Sequence, residues 1–440
     1  MVINKFYYLC SQNISIMAIN KDTLRMLIKE GQELIKNIKL YDRPFDFEPK
    51  GRYVLVGIRQ AGKSYMLYKR AKQFLKEKHN IEEIVYIDFD DERLLGMTAD
   101  DFDLILQAYA SVYNYQPLLF FDEIQNISGW EHFARRLANQ KYSIFITGSN
   151  AKMLSRDIQT TLGGRYFDGR VFPYSFAEYL EAQNVTLDSE WQYGKTKFNI
   201  QQYFNDYMLW GGFPELVNYR NKRHWLNDLY EKIILGDVIL RNKIKNEMQL
   251  RMTIKRLAEN IMQPTSYSRI ANLIKAAGFN TTTASVSDYI SFAKDACLIF
   301  SLDNYTSKFV EKNTVKKHYF TDNGLLSIFL SGGETALLEN LCAIALYRKY
   351  GDKLYFYNKN VEVDFYIPEE NYAVQVSYSI HDEETCRRET SALIKLNDFL
   401  PLNKLLIITF DEEESIPISD NKTIEVIPAW KWLIESERGS

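Results

Sequence analysis

Tyr53-Val54-Leu55-Val56-Gly57-Ile58-Arg59-Gln60-Ala61-Gly62-Lys63-Ser64-Tyr65 is the stretch that decides the fold of this chain. Four apolar or aromatic residues read as a short buried strand, a glycine-bounded run turns the backbone, and a helical pattern follows from Lys63. A loop of this spacing aims successive N–H groups at phosphate oxygens, brings a lysine ammonium to the β and γ oxygens, and offers a hydroxyl to Mg²⁺. Side chains at Gly57 and Gly62 would obstruct that approach. Gly57, Arg59, Gln60, Ala61, Gly62, Lys63, Ser64 and Tyr65 are therefore expected to hold ATP or GTP, with Ser64 on the metal. An ordinary glycine turn capping a helix explains the letters less well, because the strand before and the helix after match the phosphate-binding context.

Working outward, Leu118-Leu119-Phe120-Phe121-Asp122-Glu123 is an apolar strand that delivers two carboxylates at its carboxyl end. Asp122 is expected to hold Mg²⁺ through water and Glu123 to polarise the attacking water. Further strands at Ile84-Ile87 and Ile144-Ile146, each separated by an amphipathic helical stretch, predict an α/β fold with a parallel sheet wrapped by helices. Ligands of such sheets bind at the carboxyl ends of the strands, where these motifs fall. Thr147-Gly148-Ser149-Asn150 ends the next strand, and Ser149 is the first choice for a polar group facing the γ-phosphate, Asn150 the second. Arg165 follows Gly163-Gly164 and is expected to reach a phosphate of a neighbouring subunit; the plainer reading is a surface arginine in a loop.

At 440 residues the chain is too long for one core, and its 46% hydrophobic and 25% charged content is that of a soluble globular protein. A net charge of -3 gives no global attraction to nucleic acid or to an anionic membrane. Cys10, Cys297, Cys342 and Cys386 are far apart with no C-x-x-C pair, which argues against zinc ribbons and disulfide scaffolds and predicts a cytoplasmic location. No apolar run approaches the ~18 residues of a membrane span. The first residues are too short and polar for a signal peptide, and Met17 is a second candidate start.

From 176 to 250 the pattern is helical, broken at Gly211-Gly212-Phe213-Pro214, and reads as a lid and linker. Residues 251–320 read as three short helices and then a polar hairpin, the outline of a winged helix-turn-helix. That segment holds ten basic residues, Lys308, Lys312, Lys316 and Lys317 among them in the hairpin, against five acids. Thr281, Thr282, Thr283, Ser285 and Ser287 would then start the helix that enters a major groove. Few bidentate base readers accompany them, so strong sequence specificity is not expected, and a protein-contact role competes with double-stranded DNA. Helices and strands mix again over 321–440.

The set G-x-R-x-x-G-K-S, F-D-E-I-Q, I-T-G-S, G-G-R, then Phe172-Pro173-Tyr174-Ser175-Phe176 and Gly211-Gly212-Phe213-Pro214-Glu215, resembles a prokaryotic family of AAA-type ATPases. Members of that family join the ATPase to a winged helix and to a C-terminal domain similar to restriction endonucleases. The resemblance implies ATP over GTP and this division: an N-terminal helical segment (1–50), a P-loop core (51–175), a helical lid (176–250), a winged helix (251–320) and a nuclease-like domain (321–440). Such nucleases need a helix glutamate, a strand aspartate and an acid-x-lysine on the next strand. Glu339 and Glu362-Val363-Asp364 supply the first two, but the third reads Gln375-Val376-Ser377, so the domain is expected to be inactive. The dissenting reading lets Arg387 or Arg388 replace the missing lysine.

The chain is thus expected to be an ATP- and Mg²⁺-dependent switch acting on DNA or a protein partner, with oligomers open to it. A scaffold gated by nucleotide with negligible turnover, and a nuclease licensed by ATP, are the alternatives.

Overall fold

The computed structural model describes residues 19–41, 43–306, 315–419 and 422–438. Cys10, Met17, Lys308 and Lys312 lie outside them. The chain forms two compact units: one takes in residues up to Val56 and Lys63–Gly169, the other Gly57–Gly62 and Arg170 onward.

In the first unit the strands β1 (Tyr53–Val56), β2 (Ile84–Asp88), β3 (Leu118–Asp122), β4 (Ser143–Gly148) and β5 (Phe167–Arg170) form one sheet in the order β2-β3-β4-β1-β5. The pairs β2/β3, β3/β4 and β1/β4 are parallel, as alternating strands and helices require. β4, the last of these four in the chain, lies between β1 and β3. A parallel sheet in this order, wrapped by helices, is the P-loop NTPase fold expected from the sequence. Phe120 and Phe145 stack across β3 and β4 at 5.1 Å and are fully buried, each contributing about 1.5–3 kcal/mol by leaving water. The helix Lys21–Asn37 starts where the Asn20 side chain accepts from the Thr23 N–H at 2.8 Å. It buries Leu24, Leu27, Ile28 and Ile35, and Gln32 donates to the Ile84 carbonyl at 3.0 Å, which fixes the helix on β2.

The second unit opens with helices Phe176–Ala182, Gly194–Trp210 and Lys222–Lys232 and the π-helical turn Ile233–Leu240. Ser175 and Glu178 close a capping box on the first of these. Gly211 sits at φ +76°, and a Cβ there would lie 2.0 Å from an Asp322 carboxylate oxygen. That carboxylate accepts from the N–H groups of Gly212 (2.8 Å) and Gly324 (2.7 Å), so the glycine pair is the seat of a buried acid. Helix Glu247–Glu259, β6 (Thr265–Ser266), helices Tyr267–Ala276 and Thr283–Asp295, then β7 (Ile299–Asn304) and β8 (Val315–Phe320) follow the element order of a winged helix, with β8 paired to both β6 and β7.

β7 also pairs in parallel with β9 (Tyr355–Asn358), and through it with β10 (Glu362–Ile367), β11 (Tyr372–Val376), β12 (Lys404–Thr409), β14 (Lys422–Pro428) and β13 (Glu414–Ser419). Among the described residues a single nine-stranded sheet therefore takes in β6 through β14, and the boundary expected at 320 falls inside it. Among the described residues no helix is long and apolar enough to cross a membrane.

Candidate functional site

At the carboxyl ends of β2, β3 and β4 the first unit gathers the acidic half of the site. Asp122 is buried and is held by three hydroxyls: Tyr86 donates at 2.8 Å, Thr147 donates to the other oxygen, and Ser64 hydrogen-bonds it as well. Burial, and then the adjacent Glu123 charge, push the Asp122 pKa up, while those hydroxyls pull it back. Glu123 takes the left-handed φ of +50°, which turns its side chain off the strand, and its Oε1 lies 3.1 Å from Lys63 Nζ. Its other oxygen accepts from the Ser149 N–H at 3.1 Å and from Gln125.

The expected residues Lys63, Ser64, Asp122, Glu123 and Ser149 thus meet in one cluster, and a hydroxyl, an aspartate and a lysine suit Mg²⁺ and phosphate. Ser149 is fully buried, and the second choice, Asn150, instead caps the turn Ala151–Leu154 by accepting from Lys152 N–H at 3.0 Å. Arg165 is exposed, with NH1 on the carbonyl of Gly163 at 3.0 Å, inside its own loop. Tyr65 is exposed as well. Sequence reasoning missed Tyr86, Thr147 and Asp88. Asp88 stands opposite Asp122 in the β2/β3 register, and burial together with that neighbour raises it to about 7.

The loop Gly57–Gly62 belongs to the second unit. Gly57 is fixed by sterics: a Cβ would lie 2.0 Å from the Val171 carbonyl oxygen. Gln60 and Gly62 have φ of +63° and +94°, the left-handed conformations that turn successive N–H groups to one side of a loop. The Arg59 side chain, expected beside the nucleotide, instead donates from Nε and NH2 to the two oxygens of Asp237, at 3.0 and 3.1 Å.

The C-terminal cluster differs from expectation in one residue. Lys317, counted above among the hairpin charges, is fully buried, with Nζ 2.9 Å from Asp364, 3.4 Å from Glu339 and 3.7 Å from Glu362. Tyr319 adds a hydrogen bond to Glu339 at 2.7 Å. Burial alone would lower the Lys317 pKa, but Asp364 and Glu339 more than offset it and raise it. Arg388, the expected stand-in for the missing lysine, pairs with Glu389 at 2.7 Å. Gln375 accepts from the Asp364 N–H and donates to Glu389, both at 2.8 Å.

The charge of segment 251–320 is also smaller than its letters suggest. Lys316 pairs with Asp303, and Arg251, Lys255 and Arg256 pair with glutamates. Thr281 is 2% exposed, so it is not available to a groove in the way expected, and the exposed Thr282 caps its helix by accepting from the Ser285 N–H.

The sheet order, the glycine loop and the Asp122-Glu123 pair define the class: an AAA-type P-loop ATPase. A family model described as an AAA domain matches residues 50–180, and one described as a domain of unknown function matches 201–335. The chain belongs to the same family as the uncharacterized protein MJ1544 of Methanocaldococcus jannaschii, to which it is 32% identical over 436 residues, covering 96% of this chain and 97% of the relative. An uncharacterized protein of Haemophilus influenzae is 28% identical over 394 residues, 87% of this chain and 94% of its own. Among solved structures, a Walker-type ATPase of Pyrococcus abyssi aligns with a TM-score of 0.40 at 16% identity, over 69% of this chain and 94% of that one. The Aeropyrum pernix ORC1 protein in complex with DNA aligns at 0.28 and 12%, over 76% and 97%. Likenesses at these scores carry nothing about this chain's chemistry.

Proposed function

We propose that this chain binds Mg-ATP and hydrolyses it, and uses the cycle as a switch on DNA or on a protein partner. The observation that carries the reading is the cluster in which Lys63 pairs with Glu123 while Ser64 hydrogen-bonds Asp122. Ser64 and Asp122 would hold Mg²⁺, directly and through water, and the ion would neutralise charge on the phosphate oxygens. Lys63 takes the β and γ oxygens and in doing so releases Glu123. Glu123, kept in place by the Ser149 N–H and Gln125, then orients and polarises the attacking water. Arg165 is assigned to the phosphate of a neighbouring copy, a role its exposure permits.

The C-terminal sheet serves in this reading as a scaffold without nuclease chemistry. Gln375 stands where a third carboxylate is needed, and the Lys317 ammonium already balances Glu339 and Asp364. Arg269 and Lys275 are exposed cations that support a DNA partner for the winged helix. Multiple-turnover phosphate release tests the enzyme. The wild type should turn over and both Lys63→Ala and Glu123→Gln should not; equal release by all three would remove the assignment.

A further inference from the structure

Asp237 is a buried acid that neither the motifs nor the comparisons single out. Its side chain is 1% exposed and it lies in the middle of the π-helical turn Ile233–Leu240. Both oxygens are used: Arg59 of the glycine loop takes them with Nε and NH2 at 3.0 and 3.1 Å, and Arg241, one turn on, adds NH2 at 3.0 Å. A carboxylate this buried needs both cations, and a two-point guanidinium contact fixes direction as well as distance. The π-helical winding adds a residue to the turn, the kind of local irregularity found where a side chain must be aimed.

Arg59 sits one residue before Gln60 and three before Gly62, whose left-handed φ angles set the direction of the loop amides. The turn is itself stiffened by an Ala61 N–H to Ile58 carbonyl bond at 3.2 Å, so holding Arg59 holds the whole bend. The turn's own base is fixed in its place. Lys222–Lys232 runs straight into Ile233, and Glu231 on it accepts from NH1 and NH2 of Arg251, from helix Glu247–Glu259, at 2.7 and 2.6 Å. Two arginine–carboxylate forks therefore connect the glycine loop to the first helix of the winged-helix segment.

We propose that Asp237 is a positioning residue for nucleotide: through Arg59 it sets the phosphate-binding loop in its amide-presenting conformation. This rests on the reading of that loop as a Mg-ATP site. The arginine in the glycine motif consequently serves as the loop's anchor, and phosphate recognition is left to the backbone amides and Lys63.

The test is calorimetric titration of the full chain with Mg-ATP, alongside steady-state hydrolysis and melting without nucleotide. Asp237→Asn should weaken Mg-ATP at least tenfold and raise KM more than it lowers kcat, with melting changed much less than affinity; Asp237→Glu should recover part of the loss. Arg59→Gln should weaken binding similarly, and the double variant should be no weaker than the worse single one, since both remove the same link. Folded Asp237→Asn that binds as the wild type does, or losses that add in the double variant, would overturn the inference. Should Asp237→Asn not fold, Arg59→Gln carries the test alone, and unchanged affinity in it is the overturning result. A wild-type chain with no affinity for Mg-ATP would instead strike the proposed function.

Discussion

Replacing Lys317 with methionine tests whether a single ammonium holds the C-terminal sheet together. Methionine keeps most of the volume, so the cavity contribution is small and the change is chiefly one of charge. The side chains of Glu339 and Asp364 are 4% and 15% exposed, and both lose their cation at 3.4 and 2.9 Å. Deleting one partner of a buried ion pair costs about 3–5 kcal/mol. With roughly 2–4 °C lost per kcal/mol in a unit of this size, melting should fall on the order of 10 °C at pH 8.

The loss should shrink in acid. Burial already raises the Glu339 pKa above its ordinary value, and without Lys317 the folded state holds that proton more tightly still. A carboxyl raised on folding stabilises at low pH and loses that contribution as pH rises through its folded pKa, at up to ~1.4 kcal/mol per pH unit. Scanning calorimetry at about pH 8 and about pH 5.5 measures both effects, and Asp364→Asn added to Lys317→Met should restore part of the loss. A Lys317→Met protein as stable as the wild type at pH 8, or one made worse by Asp364→Asn, would refute the reasoning.

Gly57→Ala should abolish Mg-ATP binding, because its methyl would meet the Val171 carbonyl at 2.0 Å; retained binding in a nucleotide titration would contradict the packing of the loop. Asp88 is raised to about 7, so between about pH 4 and 7 the unfolded chain has released a proton that the folded one keeps, and stability should decline as pH rises. Denaturant midpoints across that range should show a shallower decline in Asp88→Asn; parallel curves would remove Asp88 as the cause. Arg269→Glu with Lys275→Glu should weaken duplex DNA binding for all sequences and flatten its salt dependence, read by fluorescence anisotropy at two salt concentrations. Unchanged anisotropy would point to a protein partner for segment 251–320.

Much of the first unit was legible because its signals are local. The strand ending in Asp122-Glu123 and the alternation of strands and helices each lie within a short window of sequence, as does the glycine loop that joins β1 to Lys63, and the helical segment expected over 1–50 contains the helix Lys21–Asn37. β5 was missed because Phe167-Asp168-Gly169-Arg170 has no apolar alternation and pairs only at a sheet edge. β13 was missed for a similar reason: it carries Pro417 and follows an acidic run, and edge strands tolerate both.

The rest depends on partners far away in the chain. Lys317 looks like any hairpin cation until β8 and β10 bring it to Asp364, 47 residues on. Arg59 and Asp237 are 178 residues apart, and nothing near either announces the other. The hydroxyls of Tyr86 and Thr147 read as strand residues, and only the parallel register shows that they converge on Asp122.

Calorimetric titration of the wild type and of Glu123→Gln with Mg-ATP, followed by phosphate release from the same samples, bears most directly on the central claim. Both proteins should bind, and only the wild type should release phosphate over many turnovers. Absence of measurable binding by the wild type, or sustained release by Glu123→Gln at the wild-type rate, would contradict it.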